Sequence, residues 1–125
     1  MTRPPAVVTD AELAIMDYLW THGASVVRDI SRDVYAANTP AFHATVNSLL
    51  DQLEGKGFVA RDRSGFAHRF TATVNRNELV GSQLQRIADS HFGGALAPLV
   101  MPLVEKIHLS KRDREAIERI LKKSH

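Results

Sequence analysis

The feature that most constrains this chain is a change of period near residue 57. From Phe42 to Leu53 apolar residues recur at helical spacing, and from Phe58 to Ala72 they give way to two short arms around Ser64-Gly65. Thr39 suits an N-cap, and Pro40 suits the first helical position, where its missing N–H costs nothing. At about 100° per residue, Phe42, Val46, Leu49, Leu50 and Leu53 fall within roughly 100° of one another. Gly55 and Gly57 end the helix, which spans residues 39–55. Its opposite face is Ala44, Asn47, Ser48 and Asp51, with Thr45 and Gln52 on one shoulder and His43 on the other. The arms Phe58–Arg63 and Phe66–Ala72 predict a β-hairpin over 58–72, carrying Arg61, Arg63, His68 and Arg69.

The elements around this pair extend the pattern. Thr9-Asp10-Ala11-Glu12 has the form of a capping box, and Leu13, Met16, Leu19 and Trp20 follow at helical spacing up to Gly23. "ASVV" is short and β-prone. Val27, Ile30 and Val34 line one side of a second helix, with Arg28, Asp29, Arg32 and Asp33 on the other. Helix, short strand, helix, helix, hairpin is the winged helix-turn-helix plan. The expected fold is therefore mainly α with a small β-hairpin: a winged-helix domain over 1–76 and a helical region over 77–125. In that second region Asn75-Arg76-Asn77-Glu78 opens a helix with Leu79, Val80, Leu84, Ile87, Ala88 and Phe92 as its apolar members. Pro98 and Pro102 limit "ALAPLVMPLVEKIHL" to short helical turns. Ser110 caps a last helix with Ile117, Ile120 and Leu121 facing inward.

Several function classes fall away on composition. The 125 residues include no Cys, which excludes disulfides, thiolate metal sites and Cys nucleophiles. The six His residues, His22, His43, His68, His91, His108 and His125, show no metal-ligand spacing. No phosphate-binding Gly-rich loop, HExxH or GxSxG motif is present. An enzyme, a metal and a cofactor are therefore not expected. No apolar run approaches the roughly 18 residues of a membrane span, and the N-terminal stretch has no secretory apolar core, so a cytoplasmic location is expected. The net charge is +2. Residues 1–76 hold eight Lys/Arg and eight Asp/Glu, so any nucleic-acid binding must rest on where the charges stand.

The polar face of the third helix suits close approach. A helix in the DNA major groove needs small residues and hydrogen-bonding tips, where open solvent would favour long charged ones. Ala44, Thr45, Asn47, Ser48, Gln52 and His43 are the candidate base readers. Arg28, Lys56, Arg61, Arg63, His68 and Arg69 are the candidate phosphate contacts. Leu96, Leu99, Val100, Met101, Leu103, Val104 and Ile107 exceed what a two-helix tail buries alone, which predicts a dimer surface, with Leu84, Ile87, Phe92, Leu96, Leu99, Val100, Leu103, Ile117 and Leu121 as its candidate residues. A winged-helix protein–protein adaptor is the alternative. Salt-dependent duplex binding separates the two.

The chain resembles the penicillinase-repressor type of transcriptional regulators, which includes the β-lactamase, methicillin-resistance and copper-responsive repressors. The resemblance rests on "VTDAELAIMDYLW", "VRDI", "TPAFHATVNSLLDQLEGKGFV", "RSGFAHRFTATVNRNEL", "FGG" and "LSKRDREAIERIL" in that order. It implies a homodimeric repressor of promoter DNA, with contacts at Thr45 and Ser48 and further contacts at Ala44, Asn47 and Gln52. Members typically carry Lys or Arg on this helix face, but Ala41 to Glu54 holds none here and ends in Asp51 and Glu54. The copper-responsive branch uses C-terminal cysteines, which this chain lacks. In the resistance branch the resemblance implies a further partner, a membrane-anchored metalloprotease sensor whose signal leads to cleavage at an Asn-Phe bond. Pro102-Leu103 stands at that position here, so release by another trigger, or cleavage elsewhere, is expected.

Overall fold

A computed structural model describes residues 7–106 and 109–123, with side chains except those of 103–106. The elements run α1 (Asp10–His22), α2 (Val27–Tyr35), α3 (Pro40–Gly55), β1 (Val59–Asp62), β2 (Arg69–Ala72), α4 (Arg76–Phe92), α5 (Ala97–Lys106) and α6 (Lys111–Lys123). Among the described residues the architecture is mainly helical with one antiparallel hairpin. Two compact units divide within α4, residues 1–83 and 84–125.

The first unit starts where its local signals place it. Thr9 caps α1: its hydroxyl accepts from the Glu12 N–H, and Glu12 accepts from the Thr9 N–H, so the capping box is complete. Gly23 closes the helix at φ +76°, a conformation an L side chain resists. Ser25 then forms a single bridge with Phe70, N–H to carbonyl in both directions at 2.8 and 3.0 Å, which fastens the α1–α2 connection to the hairpin. Thr39 caps α3, with Pro40 in the first turn, and its hydroxyl accepts from the Phe42 N–H. Ile15, Met16, Leu19, Ile30, Val46, Leu50, Leu53, Phe58, Val59, Phe70 and Leu79 form one buried cluster. Phe42 is the exception on its stripe: it stacks on Tyr35 at 5.3 Å and stays partly exposed.

The hairpin is shorter and its tip wider than the sequence predicts. Val59 pairs with Ala72 and Asp62 with Arg69, which leaves Arg63–His68 as a six-residue tip. The Asp62 carboxylate accepts from the Ser64 N–H at 2.9 Å, a local turn that bends the chain before Ser64-Gly65 can close a tight hairpin. At the far side of the unit, Asn75 and Glu78 cap α4 reciprocally. Trp20 donates its indole N–H to the Val74 carbonyl at 2.8 Å, and Arg76 lies over the Trp20 ring while bonding Asp17.

The second unit departs from expectation in two places. Where the prolines predict short turns, α5 runs for ten residues with Pro102 inside it. Pro98 falls in the first turn, where no N–H is needed, and Pro102 forfeits a single helical bond. Ile117, Ile120 and Leu121 of α6 do not face inward: they are 40%, 64% and 60% exposed, and α6 buries no residue.

Candidate nucleic-acid interface

The polar face of α3 stands opposite the buried stripe of Val46, Leu50 and Leu53. Ala44, Thr45, Asn47, Ser48 and Gln52 are all exposed on it. The Thr45 hydroxyl donates to the Ala41 carbonyl at 3.1 Å, which leaves its lone pairs and methyl group facing outward. Among the described residues, the side chains of Asn47, Ser48 and Gln52 make no hydrogen bond. His43 is half-buried and hydrogen-bonded to the Asn38 side chain at 2.9 Å, so it is partly committed to the α2–α3 connection.

Beside this face lies an open trough of about 490 Å³. It is lined by Val26, Val27 and Arg28 at the start of α2, by His43 and Asn47 of α3, and by Phe66, Ala67, His68 and Phe70 of the hairpin. No Asp or Glu lines it. Val26 offers no side-chain cap, so the first-turn N–H groups of α2 are left without one. A helix start with open N–H groups, one Arg and two His suits an anionic strand.

The six side chains expected to touch phosphate separate into two groups. Lys56 is turned inward: its Nζ donates to both carboxylate oxygens of buried Glu12 at 2.7 Å and to the Val7 carbonyl at 2.6 Å. Burial pushes the Glu12 carboxyl up, but the bonds from Lys56 and Thr9 outweigh it and hold the group below its ordinary value. Arg61 is 14% exposed, lies 4.7 Å over the Phe70 ring, bonds Asp51 and approaches Glu54 at 3.6 Å. These two side chains are paired within the unit and largely covered. Arg28, Arg63, His68 and Arg69 are exposed. Arg63 has a loose contact to Glu54 at 3.8 Å, and Arg69 sits across the ribbon from Asp62. Arg32 also belongs to the fold. It bonds Asp29 and Asp33, and its guanidinium, with the Tyr18 hydroxyl, holds the Asp33 carboxyl down to about 2.

The family model of the penicillinase repressor matches residues 8–123. The chain belongs to the penicillinase repressor family. Transcriptional regulator BlaI of Mycobacterium tuberculosis is 29% identical over 106 residues, covering 83% of this chain and 76% of that protein. Methicillin resistance regulatory protein MecI of Staphylococcus aureus is 22% identical over 116 residues, covering 93% and 94%. A solved structure of Bordetella bronchiseptica BpsR aligns with a TM-score of 0.48 at 23% identity, covering 97% of this chain and 82% of that one. Membership of the penicillinase repressor family places the chain among transcriptional regulators rather than enzymes. Among the described residues, no helix is long and apolar enough to cross a membrane, and no group of three His, Asp or Glu is arranged to hold a metal ion.

The structure also accounts for the acids at the end of α3. Asp51 and Glu54 face the hairpin arginines, and Arg61 spans both. Their charge is largely matched within the unit, so it does not oppose an approaching polyanion as two free carboxylates would. The sequence hides this because the pairing joins residues from different elements.

In the second unit the apolar candidates are largely uncovered. Leu84, Ile87, Phe92, Leu96 and Val100 are exposed, and Leu99 is half-buried. Leu103 falls outside the described side chains.

Proposed function

We propose that the chain is a homodimeric repressor that binds a pseudo-palindromic promoter site. In this reading α3 lies in the major groove with Ala44, Thr45, Asn47, Ser48 and Gln52 toward the base edges, and His43 at the rim. Arg28, Arg63, His68 and Arg69 meet the phosphates. Lys56 and Arg61, first candidates for phosphate contact, instead hold the reading helix and the hairpin in place. The observation that carries the proposal is the exposed face of short polar side chains on α3, with Asn47, Ser48 and Gln52 unbonded, beside a trough free of acids. Long charged side chains would fill a solvent-facing helix, whereas short hydrogen-bonding ones fit a groove.

The winged-helix domain, 1–76, supplies one half-site contact, and the region 77–125 joins two copies through the apolar side chains of α4, α5 and α6. A two-fold protein reads a two-fold site. The protein works in the cytoplasm, where promoter DNA is. Release does not occur by cleavage at Pro102-Leu103; another trigger, or a cut elsewhere in the chain, frees the DNA. Pro102 stands within α5, and a protease that takes its substrate as an added strand would have to unwind that helix and would still lack one N–H.

Selection of duplexes from a random pool by the full chain tests the proposal. Retained sequences should share an inverted repeat, and affinity should fall steeply as salt rises, through counterion release. Retention of no duplex, together with copurification of a protein bound in a salt-insensitive manner, would favour an adaptor instead.

A further inference from the structure

We propose that Phe66, at the tip of the hairpin, is an apolar wedge that enters the minor groove beside the half-site and opens a flexible base step. The proposal rests on the DNA-binding reading above and adds a contact that hydrogen-bonding residues cannot make.

Phe66 is fully exposed, whereas the other aromatic side chains of its unit are packed. Phe58 and Phe70 belong to the core, Tyr18 is buried, Trp20 is bonded to Val74, and Phe42 and Tyr35 stack on each other. Phe66 has no such neighbour among the described residues. A lone exposed apolar residue is ordinary on a protein surface, but its setting here is not neutral. Arg63 and His68 flank it on the six-residue tip, with Arg69 at the base of the return strand. It shares the wall of the trough with Arg28, His43 and His68, and no acid lines that trough.

An apolar tip beside two arginines, Arg63 and Arg69, fits one class of partner. The cations call for a polyanion, and a lipid-like or apolar protein surface would leave them desolvated without partners. The phenyl ring cannot bond phosphate or read a base edge, so its complement on a polyanion is the face of a base stack. Minor-groove proteins insert Phe, Leu or Ile between base steps in this way, unstacking and kinking the duplex. The cost of opening is lowest at pyrimidine–purine steps. The tip is also braced for the task. The Asp62 carboxylate holds the Ser64 N–H at its base, and Phe70, one residue beyond Arg69, is anchored in the core and bridged to Ser25.

The test compares duplexes selected from one random pool by the full chain and by its Phe66→Ala and Phe66→Leu variants. The full chain should enrich TA or CA steps at a fixed distance outside each half-site. 2-Aminopurine placed at that step should brighten on binding. Phe66→Ala should lose the enrichment and the brightening and bind about tenfold more weakly, the low end of a base–aromatic stacking contact. Phe66→Leu, which keeps a wedge, should retain both signals. Since the ring touches no core residue, all three proteins should melt together. If Phe66→Ala selects the same sequences with the same affinity, the wedge is wrong while the DNA-binding reading stands. If the full chain retains no duplex, both fall.

Discussion

The two units of this chain handle their apolar residues in opposite ways. The first closes a core from three helices and a hairpin and leaves a polar, hydrogen-bonding face on α3. The second buries Ala88 alone among its described residues and leaves Leu84, Ile87, Leu96, Val100, Met101, Ile120 and Leu121 exposed. A unit that satisfies itself can devote its surface to recognition. A unit with an open apolar surface is completed by something else, and a second copy is the proposed occupant.

Cutting the chain after Gln83 is the strongest way to break this contrast. The remaining residues keep the whole buried cluster, including Leu79, so they should fold and sediment as a monomer. Affinity for a two-half-site duplex should drop by about 10²–10⁴, the usual gain from linking two binding modules. Ile117→Glu combined with Leu121→Glu should have the same effect in the full chain. A truncated protein that still dimerises would place the interface in the first unit.

The next effect separates holding from reading within the first unit. Lys56→Met leaves buried Glu12 without its cation and should cost about 3–5 kcal/mol in urea unfolding. Thr45→Ala and Ser48→Ala should leave unfolding nearly unchanged. Each should shift sequence preference by about 1–3 kcal/mol, the worth of a good hydrogen-bonded pairing with a base edge. Arg28→Ala, Arg63→Ala or Arg69→Ala should weaken all duplexes alike and reduce the salt slope by about one each. Arg61→Ala should instead lower stability, because its partners Asp51, Glu54 and Phe70 are all within the unit. Should Thr45→Ala and Arg63→Ala produce the same uniform loss across sequences, α3 is not the reading helix.

Acid provides the mildest test. Glu12, Asp33 and Asp62 all lie in the first unit with folded pKa values below their ordinary ones. Such groups add stability above the ordinary carboxylate range, and that stability is lost as pH falls through this range toward about 2, since the unfolded chain takes up protons first. The melting temperature of the 1–83 fragment should therefore hold from neutral pH to about pH 5 and fall below it toward about pH 3. A flat profile would mean that the pairs to Lys56 and Arg32 contribute nothing.

How much of this could be read from the sequence depended on distance along the chain. The caps at Thr9, Thr39, Asn75 and Ser110 were legible because each joins residues three apart. The roles of Lys56 and Arg61 were not, because Glu12 is 44 residues from Lys56 and Asp51 is ten from Arg61. A cation on a short ribbon reads as exposed until its partner is placed. The Pro102 helix was missed for a different reason: the rule against proline measures one missing bond, and the rest of a helix can outweigh it. The outward stripe of α6 was misread because periodicity shows that a face exists and says nothing of what covers it.

The way α3 is fixed has a consequence for how this protein can change over time. Its position depends on Thr39, Pro40, Val46, Leu50, Leu53, Asp51 and Glu54. None of these is among the residues proposed to read bases. Positions 44, 45, 47, 48 and 52 can therefore be exchanged singly without disturbing what holds the helix. If α3 reads bases as proposed, a lineage can pass from one binding site to another by single steps, each leaving a folded regulator behind it.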